Sequence, residues 1–376
     1  MTLAERDWRW TRVRAAMDAE GLDGILAYAP GWRREDLRYL ADAQLRGSFA
    51  LLYLPRDGEA TAFTLPVDKN AVTQAGWVED VRELDPFGLR AVVDRISTAD
   101  NNRPPARIGI SHAELLPVGL RKALEEGIGA NTAMRSATRL MSGVRMVKSD
   151  DELERMRRCG EITDAGWDAL VQALKPGVTE YELVAHTEAR LKAMGATDNF
   201  MLIASGGEEV RGMTPPSERR LQKGDMVRTE LTPQWDGYWT QICRSAVLGQ
   251  ASDGQRESFE LFREAMEAGL NVLRAGVTAH DVAMAENDVF RARGFGDYCT
   301  ARFTRVRGHG HGAHLDEVPI VEGVETVLER NAVVIVHPNT FTPLAGYHVL
   351  GDPVVVTDDG WEPLLRTPRV LFELDA

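Results

Sequence analysis

A 25-residue pattern occurs twice in this chain, offset by 99 residues. LKPGVTEYELVAHTEARLKAMGATD begins at Leu174 and LRAGVTAHDVAMAENDVFRARGFGD begins at Leu273. Leu, Gly-Val-Thr, a later Gly and a final Asp recur in register. Glu182 is matched by Asp281, each three residues after a Thr that can cap a helix. A shared register of this length points to a duplicated half-domain, because such units stack to bury a face neither can bury alone. The two halves are expected to face each other across a pseudo-twofold axis. The cleft between them is then the expected ligand site.

The rest of the chain is organised around that duplication. Trp8, Val13, Ala16 and Met17 fit a helix over residues 5–19, and GLDGILAY reads as a turn followed by a buried strand. SFALLYL and TAFTLPV read as further strands, and the α/β alternation continues to about residue 130. At MVKSDDELERMRR the pattern changes. Ser149 and Glu152 form a Ser-x-x-Glu capping box, and Leu153, Met156, Ile162, Ala165 and Leu170 repeat at helical spacing. This places a domain boundary within 140–148 and divides the chain into 1–143 and 144–376. MVRTELTPQWDGYWTQICRSAVLG reads as a hairpin turning at Trp235-Asp236-Gly237. NAVVIVHPNTF and GYHVLGDPVVVTDDG read as strands.

Charge and cysteine content narrow the function classes. The net charge is −13, which argues against a phosphate-backbone partner, so no nucleic acid is expected. No stretch approaches eighteen consecutive apolar residues, and the charged N-terminus lacks a signal-peptide core. No membrane association and cytoplasmic residence are the expectations. Cys159, Cys243 and Cys299 share no metal or redox spacing, so reduced, structural thiols are expected.

Five of the eight histidines fall between His309 and His348. Three of them crowd into RGHGHGAH as His309, His311 and His314. Glu230, Gln241, His337 and His348 interrupt otherwise apolar strands, which is how an inward-facing site on a sheet registers in a sequence.

Together these features resemble the creatinase/aminopeptidase P family, also called the M24 or pita-bread fold. RMVKSDDELERMR is similar to its entry helix, and KGDMVRTELTPQWDGYWTQICRS to its first metal-binding hairpin. GHGHGAHLDEVP is similar to its GHG-x-G segment, and VVIVHPN and GYHVLGDPVVVTDDG to its last two site strands. The resemblance spans almost the whole chain. It implies an α/β (α+β) protein, with a creatinase-type N-terminal domain over 1–143 and a pita-bread catalytic domain over 144–376 containing the internal repeat.

The resemblance also implies a site, and here the chain departs from the family. The family's metallopeptidases hold two ions with Asp, Asp, His, Glu and Glu. Those places correspond here to Glu230, Gln241, His309, His337 and Gly351, so only the His is retained. One carboxylate cannot offset the charge of two divalent ions. A metal-free pocket is therefore the expectation. The alternative is one divalent ion (Fe, Zn or Mn) on Glu230, His309 and His337. Met213 and Asp316 stand where the family has accessory histidines, with Glu317 beside the latter.

The expected catalytic groups are His309, His337 and Glu230, the carboxylate orienting one imidazole. Gln241, Asp316, Glu317, Met213 and His348 are expected to contact substrate. His311 and His314 are read as packing or solvent-facing histidines. Arg46, with Arg33 and Arg34 as alternatives, lies near where creatinase-type proteins reach an Arg into a partner's site, which implies a homodimer and suits a carboxylate-bearing substrate. Arg244 is read as structural. Trp235, Tyr238 and Trp239 fit either an aromatic wall or hairpin packing. The leading reading is a non-peptidase hydrolase cleaving a C–N bond in a small polar molecule. Three alternatives stand beside it: a mononuclear-metal lyase or oxygen-using enzyme, an Xaa-Pro peptidase-like protein, and an inactive binding module.

Overall fold

Four capping boxes set where the long helices of the second half begin. In each, a Ser or Thr side chain accepts from the backbone N–H three residues on, and the residue there reaches back to the cap N–H. The computed structural model, which describes residues 1–85, 89–98 and 104–375, forms these boxes at Ser149/Glu152, Thr179/Glu182, Ser252/Gln255 and Thr278/Asp281. The chain divides into two units, Met1–Arg145 and Met146–Ala376.

The first unit is a sheet between two helical layers. Its strands are β1 (Gly24–Pro30), β2 (Phe49–Pro55), β3 (Thr61–Thr64), β4 (Asp80–Glu83), β5 (Arg107–Ser111) and β6 (Ala133–Ser136). They lie in the order β4-β3-β2-β1-β5-β6. The helices are α1 (Leu3–Glu20), α2 (Glu35–Ala41), α3 (Pro66–Ala75), α4 (Arg90–Ser97), α5 (Val118–Ile128) and α6 (Thr138–Met146). Period-two alternation sends Ile25 and Ala27 to a core with Trp10, Val13, Leu37 and Met141, and Leu26 and Tyr28 to a core with Val92, Ile96 and Leu124. TAFTLPV, expected as one strand, ends as β3 at Thr64. Pro66 cannot donate to a ladder but suits a first helical turn, and α3 begins there.

The second unit is built twice. Helices α7 (Asp150–Ala173) and α8 (Glu180–Ala193) precede strands β7 (Asp198–Gly206), β8 (Met226–Trp235), β9 (Tyr238–Trp239) and β10 (Ile242–Leu248). Helices α9 (Asp253–Val272) and α10 (Ala279–Ala292) precede β11 (Gly308–Gly310), β12 (Pro319–Ile320), β13 (Val333–Val336), β14 (Thr340–Thr342), β15 (Gly346–His348), β16 (Asp352–Val356) and β17 (Trp361–Pro363). The last strand, β18 (Phe372–Leu374), returns to pair with β10. The two main sheets run β18-β10-β8-β7 and β12-β11-β13-β16-β17. Each packs its own helix pair over its own apolar core.

The copies agree down to single hydrogen bonds. Gly177 and Gly276 both take positive φ, 87° and 93°, as only glycine does readily. The Gly177 N–H meets the Leu221 carbonyl at 2.8 Å, and the Gly276 N–H meets that of Leu328 at 2.9 Å. The step from Leu221 to Leu328 also carries Glu230 to His337, so these two side chains occupy matching places in the halves. The sheets meet where Cys243 and Gly351 exchange backbone hydrogen bonds, both 3.0 Å.

The hairpin turns at Asp236 and Gly237, both with positive φ, as a tight primed turn requires. Two expected strands are interrupted. The second hairpin arm breaks at Thr240–Gln241, and the strand through Tyr347 breaks before Asp352. Gln241 and His337 therefore lie just off strand ends. Tyr238 buries its ring and donates its OH to Glu152 Oε1 at 3.0 Å, which makes it packing rather than a site wall. No helix among the described residues is long and apolar enough to cross a membrane.

If the two caps are independent copies, Thr179→Ala and Thr278→Ala should each cost the second unit about 1 kcal/mol. The double variant should lose nearly the sum, as read by urea unfolding. A double variant no weaker than either single one would contradict this.

Candidate functional site

The site gathers around the junction of the two sheets. Glu230 sits in β8 opposite Cys243 of β10. Past the end of β13 the chain runs His337-Pro338-Asn339. Arg307, itself buried, clamps this turn by donating to the Pro338 carbonyl at 2.9 Å, while the His337 N–H returns to the Arg307 carbonyl at 3.0 Å. The clamp aims Asn339 at Glu230: its Nδ2 donates to Glu230 Oε1 at 3.0 Å, and its Oδ1 accepts from the Leu350 N–H at 3.0 Å.

His309 lies in β11, paired with β13. Its ring meets His337 at a centroid distance of 5.2 Å and His311 at 4.8 Å, both edge to face. His309 Nδ1 faces the Gly310 carbonyl at 3.3 Å, and Asp316 Oδ1 stands 3.7 Å away. Asp316 also pairs with Arg305 at 2.9 Å. Glu230, expected to orient an imidazole, is instead held by Asn339, and the carboxylate near an imidazole is Asp316.

The remaining expected residues divide. Gln241 is buried with its Nε2 at 3.4 Å from Cys243 Sγ. Met213 packs with Tyr347 against Cys243, Ile335 and Val349, so it belongs to an apolar wall beside Glu230. Glu317 is buried, and its backbone N–H holds the Gly310 carbonyl at 2.9 Å. His348 is a correction. Strand alternation sends Tyr347 toward Glu230 and Cys243, and sends His348 the other way against α9. There it contacts Ser258 Oγ at 3.2 Å and the Phe262 ring at 4.8 Å. Arg46 lies in the first unit with its side chain exposed and its N–H on Asp68. Arg244 is structural: it donates to the Gly351 carbonyl at 3.0 Å and to Asp352 at 2.6 Å.

Sequence reasoning passed over Asn339, Tyr347 and Arg307, and it demoted His311, which is fully buried. A signal was present for two of them. Residues 309 and 311, and residues 337 and 339, are two apart, and extended backbone puts such pairs on one face.

Burial dominates the electrostatics. It pushes the Glu230 carboxyl up to about 6, against the downward pull of the Asn339 amide. It holds His309 below the usual imidazole value, with Asp316 pulling upward, and holds His337 well below that value. Burial also raises the Cys243 thiol well above its ordinary range, with Glu230 adding to it. At neutral pH the site thus holds neutral imidazoles, a protonated thiol and a carboxyl close to titration.

Gly351 has no space for a side chain. A Cβ there would lie 2.5 Å from the His337 Cβ and 3.3 Å from Cys243 Sγ. Among the described residues, no group of three or more His, Cys, Asp or Glu is arranged to hold a metal ion.

Comparison with known proteins places this geometry. The profile of "Metallopeptidase family M24" matches residues 154–358, and that of "Creatinase/Prolidase N-terminal domain" matches 9–147. The Xaa-Pro dipeptidase of Pyrococcus furiosus is 29% identical over 62% of this chain and 67% of its own length. The creatinase of a Bacillus species is 28% identical over 96% of this chain and 90% of its own. Among solved structures, an Xaa-Pro dipeptidase from Bacillus anthracis superposes with a TM-score of 0.84 at 25% identity, covering 98% of this chain and all of that one.

His348 gives a pH test of the packing. Burial lowers its pKa to about 3, so acid protonates it first in the unfolded chain. Its contribution to stability is intact above the ordinary value near 6.5 and is lost as pH falls toward about 3. Thermal melts should show His348→Phe losing less stability than the parent between pH 7 and pH 4.5. An equal loss would mean that His348 is not buried as a neutral ring.

Proposed function

Because the chain belongs to metallopeptidase family M24, we propose that it is a hydrolase opening a C–N bond in a small polar, carboxylate-bearing molecule, with His309, His337 and Glu230 acting in place of a metal pair. Relatives named creatinase and Xaa-Pro dipeptidase support C–N hydrolysis in general. The observation that carries the finer reading is the donor set. Two close divalent ions require several carboxylates. Here Gln241 supplies an amide turned to Cys243, Gly351 supplies no side chain, and Asp316 is tied to Arg305. A metal pair does not fit these residues. The single-ion alternative rests on the chemistry of Glu230, His309 and His337 alone, since they do not converge on a shared point.

The chemistry follows from the protonation states. His309, with Nδ1 on the Gly310 carbonyl, leaves Nε2 free to take a proton from water as the water oxygen attacks a carbonyl or amidine carbon. Asp316 then steadies the imidazolium. The neutral His337 can donate to the oxygen or nitrogen gaining charge. As the C–N bond breaks, the protonated Glu230 carboxyl gives its proton to the leaving nitrogen. The imidazolium proton then restores Glu230 through solvent. Burial raises the Glu230 carboxyl and lowers the His309 imidazole, so one can give and the other take a proton near working pH.

A second reading, Xaa-Pro peptidase action, is favoured by the dipeptidase relatives and by the wide structural match. A small-molecule substrate, a homodimer and cytoplasmic residence complete the proposal.

Hydrolysis of creatine, N-acetylated amino acids and Xaa-Pro dipeptides, assayed with a chelator present, tests the readings. The first predicts turnover of a small amide or amidine that survives the chelator. Its kcat/KM should fall as pH rises through about 6 because Glu230 loses its proton. Glu230→Gln should lower the rate about 100-fold and remove that alkaline limb. Cleavage confined to Xaa-Pro dipeptides and dependent on added metal would favour the second reading.

A further inference from the structure

We propose that Arg211, stacked on Phe341 at the rim of the site, binds the carboxylate of the substrate and sets the preference for carboxylate-bearing molecules. The inference rests on the site being that of a hydrolase for such a molecule, and it names the residue that recognises the carboxylate.

The segment that carries Arg211 is anchored on both sides. The Tyr347 N–H donates to the Val210 carbonyl at 2.8 Å. Gly346 takes a φ of 79°, and a Cβ there would lie within 3.1 Å of the Val210, Gly207 and Glu208 carbonyl oxygens. The bare glycine is what lets the segment cross the start of β15. Buried Arg228 ties the two together, donating to the Gly207 carbonyl at 3.1 Å and to the Ala345 carbonyl at 2.6 Å. Two residues beyond Arg211, Met213 packs with Tyr347 against Cys243, which faces Glu230 across the ladder. The segment therefore leads from the surface into the wall of the site.

The Arg211 side chain is exposed, and its guanidinium carbon lies 4.1 Å from the centroid of the Phe341 ring. Among the described residues, no hydrogen bond or ion pair engages that guanidinium. Phe341 stands opposite Tyr347 in the β14–β15 ribbon. It stacks on Phe303 at 6.0 Å, and Arg302, also exposed, lies over that second ring at 5.3 Å. A guanidinium already held over a ring has less freedom to lose on binding, and its N–H groups stay available. A carboxylate can accept from two of them at once. The paired rings thus set two cations at the rim, in a chain whose net charge is −13, and such a local field draws an anion. Because Arg211 faces solvent, its partner needs no enclosed cavity. A carboxylate held there leaves the rest of a small molecule to lie along Tyr347 toward Glu230.

The probes are N-acetylglycine and its neutral primary amide, read by arginine side-chain NMR of the full chain. N-acetylglycine should shift the Arg211 Nε–H resonance saturably, and the amide should not. Arg211→Met, which keeps bulk over Phe341, should weaken N-acetylglycine binding about tenfold. Arg211→Lys, which keeps the charge but loses the two-pronged geometry, should recover part of it. Kinetically, Arg211→Met should raise KM for a carboxylate-bearing substrate but not for its neutral amide analogue, with kcat little changed. The proposal is overturned if N-acetylglycine leaves the Arg211 resonance unmoved, or if it binds folded Arg211→Met as tightly as the parent. It is equally overturned if the neutral amide binds as well as the acid. Arg211-dependent binding with no hydrolysis would remove the hydrolase reading and leave the carboxylate site standing. Hydrolysis of N-acetylglycine unaffected by Arg211→Met would do the reverse.

Discussion

The mutual backbone pair between Cys243 and Gly351 is the constraint on which the site depends. It joins the two sheets of the second unit at one point, with both hydrogen bonds at 3.0 Å. Backbone must come close on both sides for that to happen. Arg244 reinforces it by donating to the Gly351 carbonyl and bridging to Asp352. Part of what is proposed to do chemistry lies close to this pair. Glu230 stands opposite Cys243, Gln241 two residues before it, and Leu350 hands its N–H to Asn339.

Closeness at the junction also decides what cannot be there. A side chain at Gly351 would run into His337. At this junction the His337 Cβ and the bareness of Gly351 belong together. Exchanging one alone would leave either a clash or a void. The duplicated architecture sharpens this. Glu230 and His337 occupy equivalent places in the two halves, so a carboxylate in one copy answers an imidazole in the other. In the proposed chemistry the asymmetry gives a carboxyl that supplies a proton and a neutral imidazole that donates a hydrogen bond, where a symmetric pair would give two of the same kind.

Much of the fold was legible because its strongest signals are local. The capping boxes, the Asp-Gly turn and the Gly-Val-Thr repeat are short-range chemistry, and each appears where the residues call for it. The family resemblance added order and spacing. The misreadings share a different physical origin. In GYHVL, alternation alone cannot say whether Tyr347 or His348 faces inward, and α9 packing settles it in favour of Tyr347. In HPN, Asn339 looks like an ordinary turn residue until the Arg307 clamp, formed across the sheet, turns it onto Glu230. His311 was read as a packing or solvent-facing histidine, and its ring proves fully buried. Side chains aimed by long-range contacts leave little trace in the local pattern.

The central claim is that this donor set works without a resident metal ion. Elemental analysis of protein purified without added metal, after extensive dialysis, tests it most directly. The account predicts divalent metal far below one ion per chain, in the parent and in His337→Ala alike. One or two ions retained per chain, and lost in His337→Ala, would contradict it.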